Sequence, residues 1–165
     1  GLFHTWWGED DDWYNSIEFA RAGAKAIAVE PDPDRIAELR RRADAAKVTV
    51  QCLATDIADL GDITSATCDV VVAVHSMLDV DDLGRLLRQV HRILKPSMPF
   101  VLSMPHPFNG VSTAHPYGTG ARSVGDWFTA LGRSNFRVDQ LKELGVTPTH
   151  PLPTTLVLRA RKEGS

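Results

Sequence analysis

Three apolar runs in this 165-residue sequence each give way to a side chain that could do chemistry. Lys25-Ala26-Ile27-Ala28-Val29 stops at Glu30, Val48-Thr49-Val50-Gln51-Cys52-Leu53 leads into Thr55-Asp56-Ile57, and Asp69 to Val74 stops at His75-Ser76. Ionised carboxylates are charged acceptors and make the stronger hydrogen bonds. An imidazole titrates near neutrality, so it can hold or move a proton during a reaction. A further histidine, His106, stands in Met104-Pro105-His106-Pro107-Phe108, just past the apolar run Phe100-Val101-Leu102. His75 and His106 are therefore the candidate general bases, ahead of His115 and Tyr117. Each candidate has a plain structural alternative. Glu30 could be a loop acid, Asp56 a turn former, His75 a core histidine, and His106 the filling of a proline-held turn.

Other chemistries find less to work with. Six scattered histidines and two cysteines show no metal-ligand spacing, so no metal site is expected. Cys52 and Cys68 lie in apolar stretches without a CxxC pattern and read as reduced core thiols. A net charge of -3 and a pI of about 6.1 supply no basic face for nucleic acid or an anionic membrane. Arg40, Arg41 and Arg42 sit inside a helical pattern and read as a solvated face. No apolar run approaches the roughly 18 residues of a membrane span, and the aromatic, acidic opening does not read as a signal peptide. A cytoplasmic protein is expected.

The elements that must position these groups are legible from pattern. Lys25 to Val29, Val48 to Leu53, Asp69 to Val74, Phe100 to Leu102, Phe136 to Leu141 and Thr154 to Ala160 read as strands by apolar length, alternation or β-propensity. Ser16 to Gly23 reads as the last turns of a helix closed by glycine. Asp32 is placed to cap a second helix with Pro33 at its first position, and Ile36, Leu39 and Ala43 recur on one face. Asp81-Asp82 opens a third, with Leu83, Leu86, Leu87, Val90 and Leu94 on one side and Pro96 as the stop. Val124 to Leu131 is a fourth. Strands alternating with helices predict one α/β domain over residues 1–165, a doubly wound, mostly parallel sheet with helices on both faces and an antiparallel C-terminal strand. Ligands of such sheets bind beyond the carboxyl ends of the strands, where Glu30, Asp56 and His75-Ser76 fall.

The order strand-Glu, helix, strand-Thr-Asp, strand-His-Ser, helix-Leu-Lys-Pro, strand resembles the class I (Rossmann-like) S-adenosylmethionine-dependent methyltransferases. The matching elements are Ala28-Val29-Glu30, Ala54-Thr55-Asp56-Ile57, Asp69 to His75 and Arg92-Ile93-Leu94-Lys95-Pro96. The likeness covers roughly residues 16–108, the expected cofactor-binding core, with 109–165 as the C-terminal part. It implies S-adenosylmethionine as cofactor. Glu30, followed by Pro31, would accept both ribose hydroxyls, Asp56 with Ile57 would meet adenine, and Val74-His75-Ser76 would lie beside the methionine portion. The acceptor would be a small molecule, methylated at an unidentified atom, with neither nucleic acid nor membrane as partner.

One departure stands out. The family's first strand ends in a glycine-rich loop that lets backbone approach the cofactor closely. No such loop precedes the helix ending near Phe19-Ala20, which implies that a first strand and loop of about 20 to 30 residues are missing at Asn15/Ser16. Residues 1–15, with Trp6, Trp7, Trp13 and Tyr14, then read either as a helical arm docked on the core or as a lid walling a ligand pocket. Two rival functions share the sheet. One is an NAD-dependent oxidoreductase, whose own glycine signature would fall in the same place. The other is a binding domain without turnover.

Overall fold

A computed structural model describes residues 2–6, 14–74, 80–109, 111–119 and 121–164. Seven strands and four helices are found there: β1 Leu2–Trp6, α1 Tyr14–Arg21, β2 Ala26–Glu30, α2 Pro33–Ala45, β3 Val50–Ala54, β4 Val70–Val74, α3 Leu83–Ile93, β5 Pro99–Pro105, α4 Val124–Arg133, β6 Phe136–Leu144 and β7 Thr155–Lys162. The strands form one sheet in the order β3-β2-β1-β4-β5-β7-β6. The first five run parallel, and β7 enters antiparallel between β5 and β6. The α/β, Rossmann-like architecture is the one expected.

The first strand is a correction. It is not missing: Leu2–Trp6 lies between β2 and β4, with Phe3 level with Ile27 on one side and Val71 on the other. The expected break at Asn15/Ser16 falls inside α1, which runs through it without interruption. Leu2 to Trp6 is therefore a central strand and no part of a helical arm. Its aromatic and β-branched residues suit a strand, but His4 and Thr5 break the apolar run that marks the other parallel strands. Trp7 and Trp13 lie outside the described residues.

Local chemistry sets the helix boundaries. Asp32 caps α2 by accepting from the backbone N–H of Asp34 at 2.9 Å, and Pro33 takes the first position. Asp82 caps α3 through the Arg85 N–H at 2.8 Å. Ser123 and Asp126 form a reciprocal capping box on α4. Helices α1 and α2 cover one face of the sheet through Ile17, Leu39 and Ala43, packed with Ala28 of β2. Helices α3 and α4 cover the other, where Leu87, Val90, Ile93, Trp127 and Leu131 pack with Val71, Phe100, Leu102, Leu156 and Leu158. Arg92 ties the link between β3 and β4 to α3 by donating to the Leu60 and Ile63 carbonyls at 2.6 and 2.8 Å. Cys68 is fully buried, whereas Cys52 is only half-buried, so one of the two expected core thiols is a core thiol; both are free.

Two features of the β6–β7 hairpin carry predictions. Asp139, at a bulge in β6, is gripped by Arg159 on both carboxylate oxygens, at 2.8 and 3.0 Å, and by Arg161 at 2.7 Å. Hydrogen bonding from Arg159, and then from Arg161, holds its carboxyl down to about 2, from an ordinary value of 3.8. A depressed carboxyl stabilises the fold above its unfolded pKa and loses that contribution as pH falls through the folded one. Urea unfolding of Asp139→Asn should thus show a deficit against the parent above pH 3.8 that closes towards pH about 2. A deficit that stays constant with pH would rule the pairing out as its source.

The second feature is Gly145, at φ +86, where an added Cβ would stand 1.9 Å from the Thr154 hydroxyl oxygen. Gly145→Ala must strain both the backbone and this contact, a loss of about 1 to 3 kcal/mol. A thermal midpoint unchanged from the parent would show that the turn relaxes freely.

Candidate active site

The two carboxylates singled out above are brought together. Glu30 is the last residue of β2 and pairs with Ala54, the last of β3, so Asp56 stands two residues beyond on the neighbouring strand. His4 of β1 is level with Ala28, and Trp6 of β1 with Val74 of β4, so four parallel strands end along one line. The chain order reverses between β1 and β4, which marks the crevice where such sheets take ligands.

Glu30 is buried, 7% exposed. Desolvation pushes its carboxyl above the ordinary 4.5, while the Asp32 N–H and the Arg35 charge pull the other way. Its Oε1 accepts from the Asp32 N–H at 3.1 Å, and its Oε2 lies 3.7 Å from Arg35 Nη1. A carboxylate offers about four lone-pair sites, so these contacts leave capacity for a vicinal diol. Pro31 beside it is exposed. Asp56 is exposed, and its Oδ1 closes a turn by accepting from the Ala58 N–H at 2.8 Å. Ile57 is buried in the main core at 6% exposure. Val74 is half-buried at the end of β4, and His75 and Ser76 lie outside the described residues.

His106 stands elsewhere, on the wall of a cavity of about 760 Å³ beyond the end of β5. Its ring is buried and held on both sides. Nε2 is 2.9 Å from a Glu143 carboxylate oxygen, and Nδ1 accepts from the Phe108 N–H at 3.1 Å. That pattern requires a neutral ring with its proton on Nε2, donated to Glu143. The backbone N–H of His106 also donates to the Thr154 carbonyl at 2.8 Å. Here the ring ties the β5 loop to β6. The rest of the wall mixes apolar groups, among them Val80, Met104, Pro107 and Trp127, with polar Asp81, Asn109 and Arg122, and Arg122 lies over the Trp127 ring at 5.7 Å.

Glu143 and Trp127 belong to this site and pattern reading missed both. Trp127 fell within an expected helix whose inward face could not be assigned without the sheet. Glu143 lies on an edge strand among polar residues and gave no signal. A second cavity, of about 650 Å³, sits at the opposite, amino end of β2 and β3 beside Lys25, Lys47 and Gln51, away from all the candidates. Among the described residues no group of His, Cys, Asp and Glu could hold a metal ion, and no helix is long and apolar enough to cross a membrane.

Comparison with known proteins fits this geometry. Residues 14–102 match the family described as the methyltransferase domain, more than half of the chain, and the chain belongs to that family. Its cofactor is S-adenosylmethionine. Membership separates the chain from the NAD-dependent oxidoreductases that share the sheet. No curated protein matches it. Solved structures agree in fold. The [4+2]-cyclase SpnF has a TM-score of 0.79 at 13% identity, over 99% of this chain and 74% of its own. An S-adenosylmethionine-dependent methyltransferase from Mesorhizobium loti has 0.74 at 19%, over 98% and 90%. Geranyl diphosphate C-methyltransferase from Streptomyces coelicolor A3(2), solved with S-adenosyl-L-homocysteine, has 0.75 at 16%, over 98% and 70%. Where the family carries its glycine-rich loop, this chain has Trp7-Gly8-Glu9-Asp10-Asp11-Asp12-Trp13, outside the described residues and with a single glycine.

Proposed function

We propose that this protein transfers the methyl group of S-adenosylmethionine to a small-molecule acceptor held in the cavity beyond β5, acting in the cytoplasm. The observation that carries the reading is the placing of a desolvated carboxylate, Glu30, and Asp56 on neighbouring strand ends at the carboxyl edge of the parallel sheet, on the same edge as a roomy cavity of mixed polar and apolar lining. When bound, the cofactor supplies a methyl group on a sulfonium that an acceptor atom can displace directly.

The chain's own residues then have distinct tasks. Glu30 would accept the two ribose hydroxyls, with its spare lone pairs unopposed by water. Asp56 would accept from the adenine amino group, while Pro31 and Ile57 limit the space around it. Val74, His75 and Ser76 would border the methionine portion. Met104 and Trp127 keep water from the acceptor and fix its approach. Orientation alone can supply several kcal/mol of the barrier. In this arrangement His106 holds the wall in place, and it could take a proton from an acceptor only if Nδ1 let go of the Phe108 N–H.

Titration calorimetry with S-adenosylmethionine and S-adenosylhomocysteine should show micromolar binding, with NADH inert. Transfer of labelled methyl to an acceptor pool should then depend on Glu30. The cyclase among the similar folds and the single-glycine link favour a second reading, cofactor binding without transfer. Tight binding with no label moved to any acceptor would establish that reading instead.

A further inference from the structure

Three polar side chains on the wall of the cavity beyond β5 have no task in the reading above: Asp81, Asn109 and Arg122. His106 offers a ligand no polar ring atom, because Glu143 and the Phe108 N–H occupy both nitrogens. Asp81 precedes the residue that caps α3, and its carboxylate makes no hydrogen bond or ion pair with any described residue. Arg122 comes from the segment leading into α4. It is half-buried, lies over the Trp127 ring at 5.7 Å and donates from Nη2 to the Val80 carbonyl at 2.9 Å, so its place is fixed. Asp126 is close enough to feel the Arg122 charge, but its carboxylate is spent on the Ser123 N–H and hydroxyl at 2.8 and 2.7 Å. Asn109 gives Nδ2 to the Thr154 carbonyl at 2.8 Å, and its Oδ1, an acceptor, has no partner among the described residues.

One cavity thus carries a fixed cation and an uncommitted anion on its wall, and the two make no ion pair with each other. A ligand with a single charge would satisfy one of them and leave the other desolvated and unpaired. A ligand with both charges would satisfy both. We infer that the acceptor is a small zwitterion, an α-amino acid or a close relative with an apolar body, its carboxylate on Arg122 and its ammonium group on Asp81 and the Asn109 Oδ1. The planar fork of arginine matches a carboxylate with two parallel hydrogen bonds. A guanidinium already stacked and tethered has little freedom left to lose on binding. Met104, Pro107 and Trp127 suit the apolar body. Both charges hold and orient the molecule, whichever atom takes the methyl group. The inference rests on the methyl-transfer reading above. The cofactor has an amino-acid end of its own, so the test must separate that source from an acceptor.

The test is calorimetric titration of the full chain, with and without saturating S-adenosylhomocysteine, using L-phenylalanine, L-phenylalaninamide and 3-phenylpropanoate. The first carries both charges, the second only the cation and the third only the anion. L-phenylalanine should bind about tenfold more tightly than either of the others, the scale of one charge-assisted hydrogen bond. Asp81→Asn, an exposed position, should bring L-phenylalanine down to the level of 3-phenylpropanoate and leave 3-phenylpropanoate unchanged. Arg122→Gln should weaken L-phenylalanine and 3-phenylpropanoate together and spare the amide, and Arg122→Lys should fall between it and the parent. Where loss of the Trp127 stacking unfolds the Arg122 variants, the Asp81→Asn series decides alone. Equal binding of the three ligands would overturn the proposal, as would a preference for the zwitterion that survives Asp81→Asn. So would competition between L-phenylalanine and S-adenosylhomocysteine, since the two charges would then serve the methionine portion of the cofactor. Failure of S-adenosylhomocysteine to bind while the charge preference persists would count against the methyl-transfer reading and leave the zwitterion site standing.

Discussion

Glu30→Ala should weaken S-adenosylhomocysteine binding about a hundredfold or more, with no loss of the folded state. The carboxylate would make two charge-assisted hydrogen bonds, each worth about 1.5 to 3 kcal/mol, and it does so where burial has already removed competing water. The same burial works against the unliganded fold. Desolvation raises the Glu30 carboxyl above 4.5, so the native state holds its proton more tightly than the unfolded chain does. Stability contributed by such a group is present below 4.5 and declines as pH rises through the raised value. Glu30→Gln should remove that decline, giving a protein at neutral pH as stable as the parent or more so, and poor at binding. Calorimetry and urea unfolding on the same samples check both halves. A variant that binds normally would take Glu30 out of the site.

Trp127→Ala should cost about 3 to 5 kcal/mol of stability, the range for truncating a large buried aromatic. Trp127 is 1% exposed and belongs to the main core with Phe100, Leu131 and Leu158, so little can collapse into its place. Because it lines the cavity beyond β5 and not the Glu30–Asp56 edge, the fraction that remains folded should bind S-adenosylhomocysteine with unchanged affinity. Trp127→Phe, which keeps most of the volume, should recover most of the stability. Urea midpoints for the three proteins decide the first claim. A parallel loss of cofactor affinity at full folding would show that the two sites are one.

Legibility followed how local the governing physics was. The caps at Asp32 and Asp82 and the apolar faces of α2 and α3 are settled within a few residues, and all were readable. Strands β2, β4 and β5 were readable because parallel strands covered on both faces are apolar and β-branched. Strand β1 was not, because His4 and Thr5 interrupt its apolar run and its place depends on pairing with β4 nearly seventy residues on. Glu30 and Asp56 could be proposed because the ends of strands are visible in sequence. The His106–Glu143 bond joins residues 37 apart through the antiparallel insertion of β7, and no spacing foretells it. The cavity is assembled from three separate segments for the same reason.

The seventh strand, the last among the described residues, does not sit at the margin of the sheet. Strand β7 fills the slot between β5 and β6, pairing with β5 from Pro99 to Pro105 and with β6 from Phe136 to Leu144. During synthesis, everything up to β6 can leave the ribosome while β5 still presents an open row of amides and carbonyls. Only when residues 155–162 emerge can that row be satisfied. Open edges invite pairing with other chains, so stalled or truncated products lacking β7 should be the aggregation-prone species of this protein. Completion of the sheet is thus a late step with a high sequence separation, and such steps slow folding.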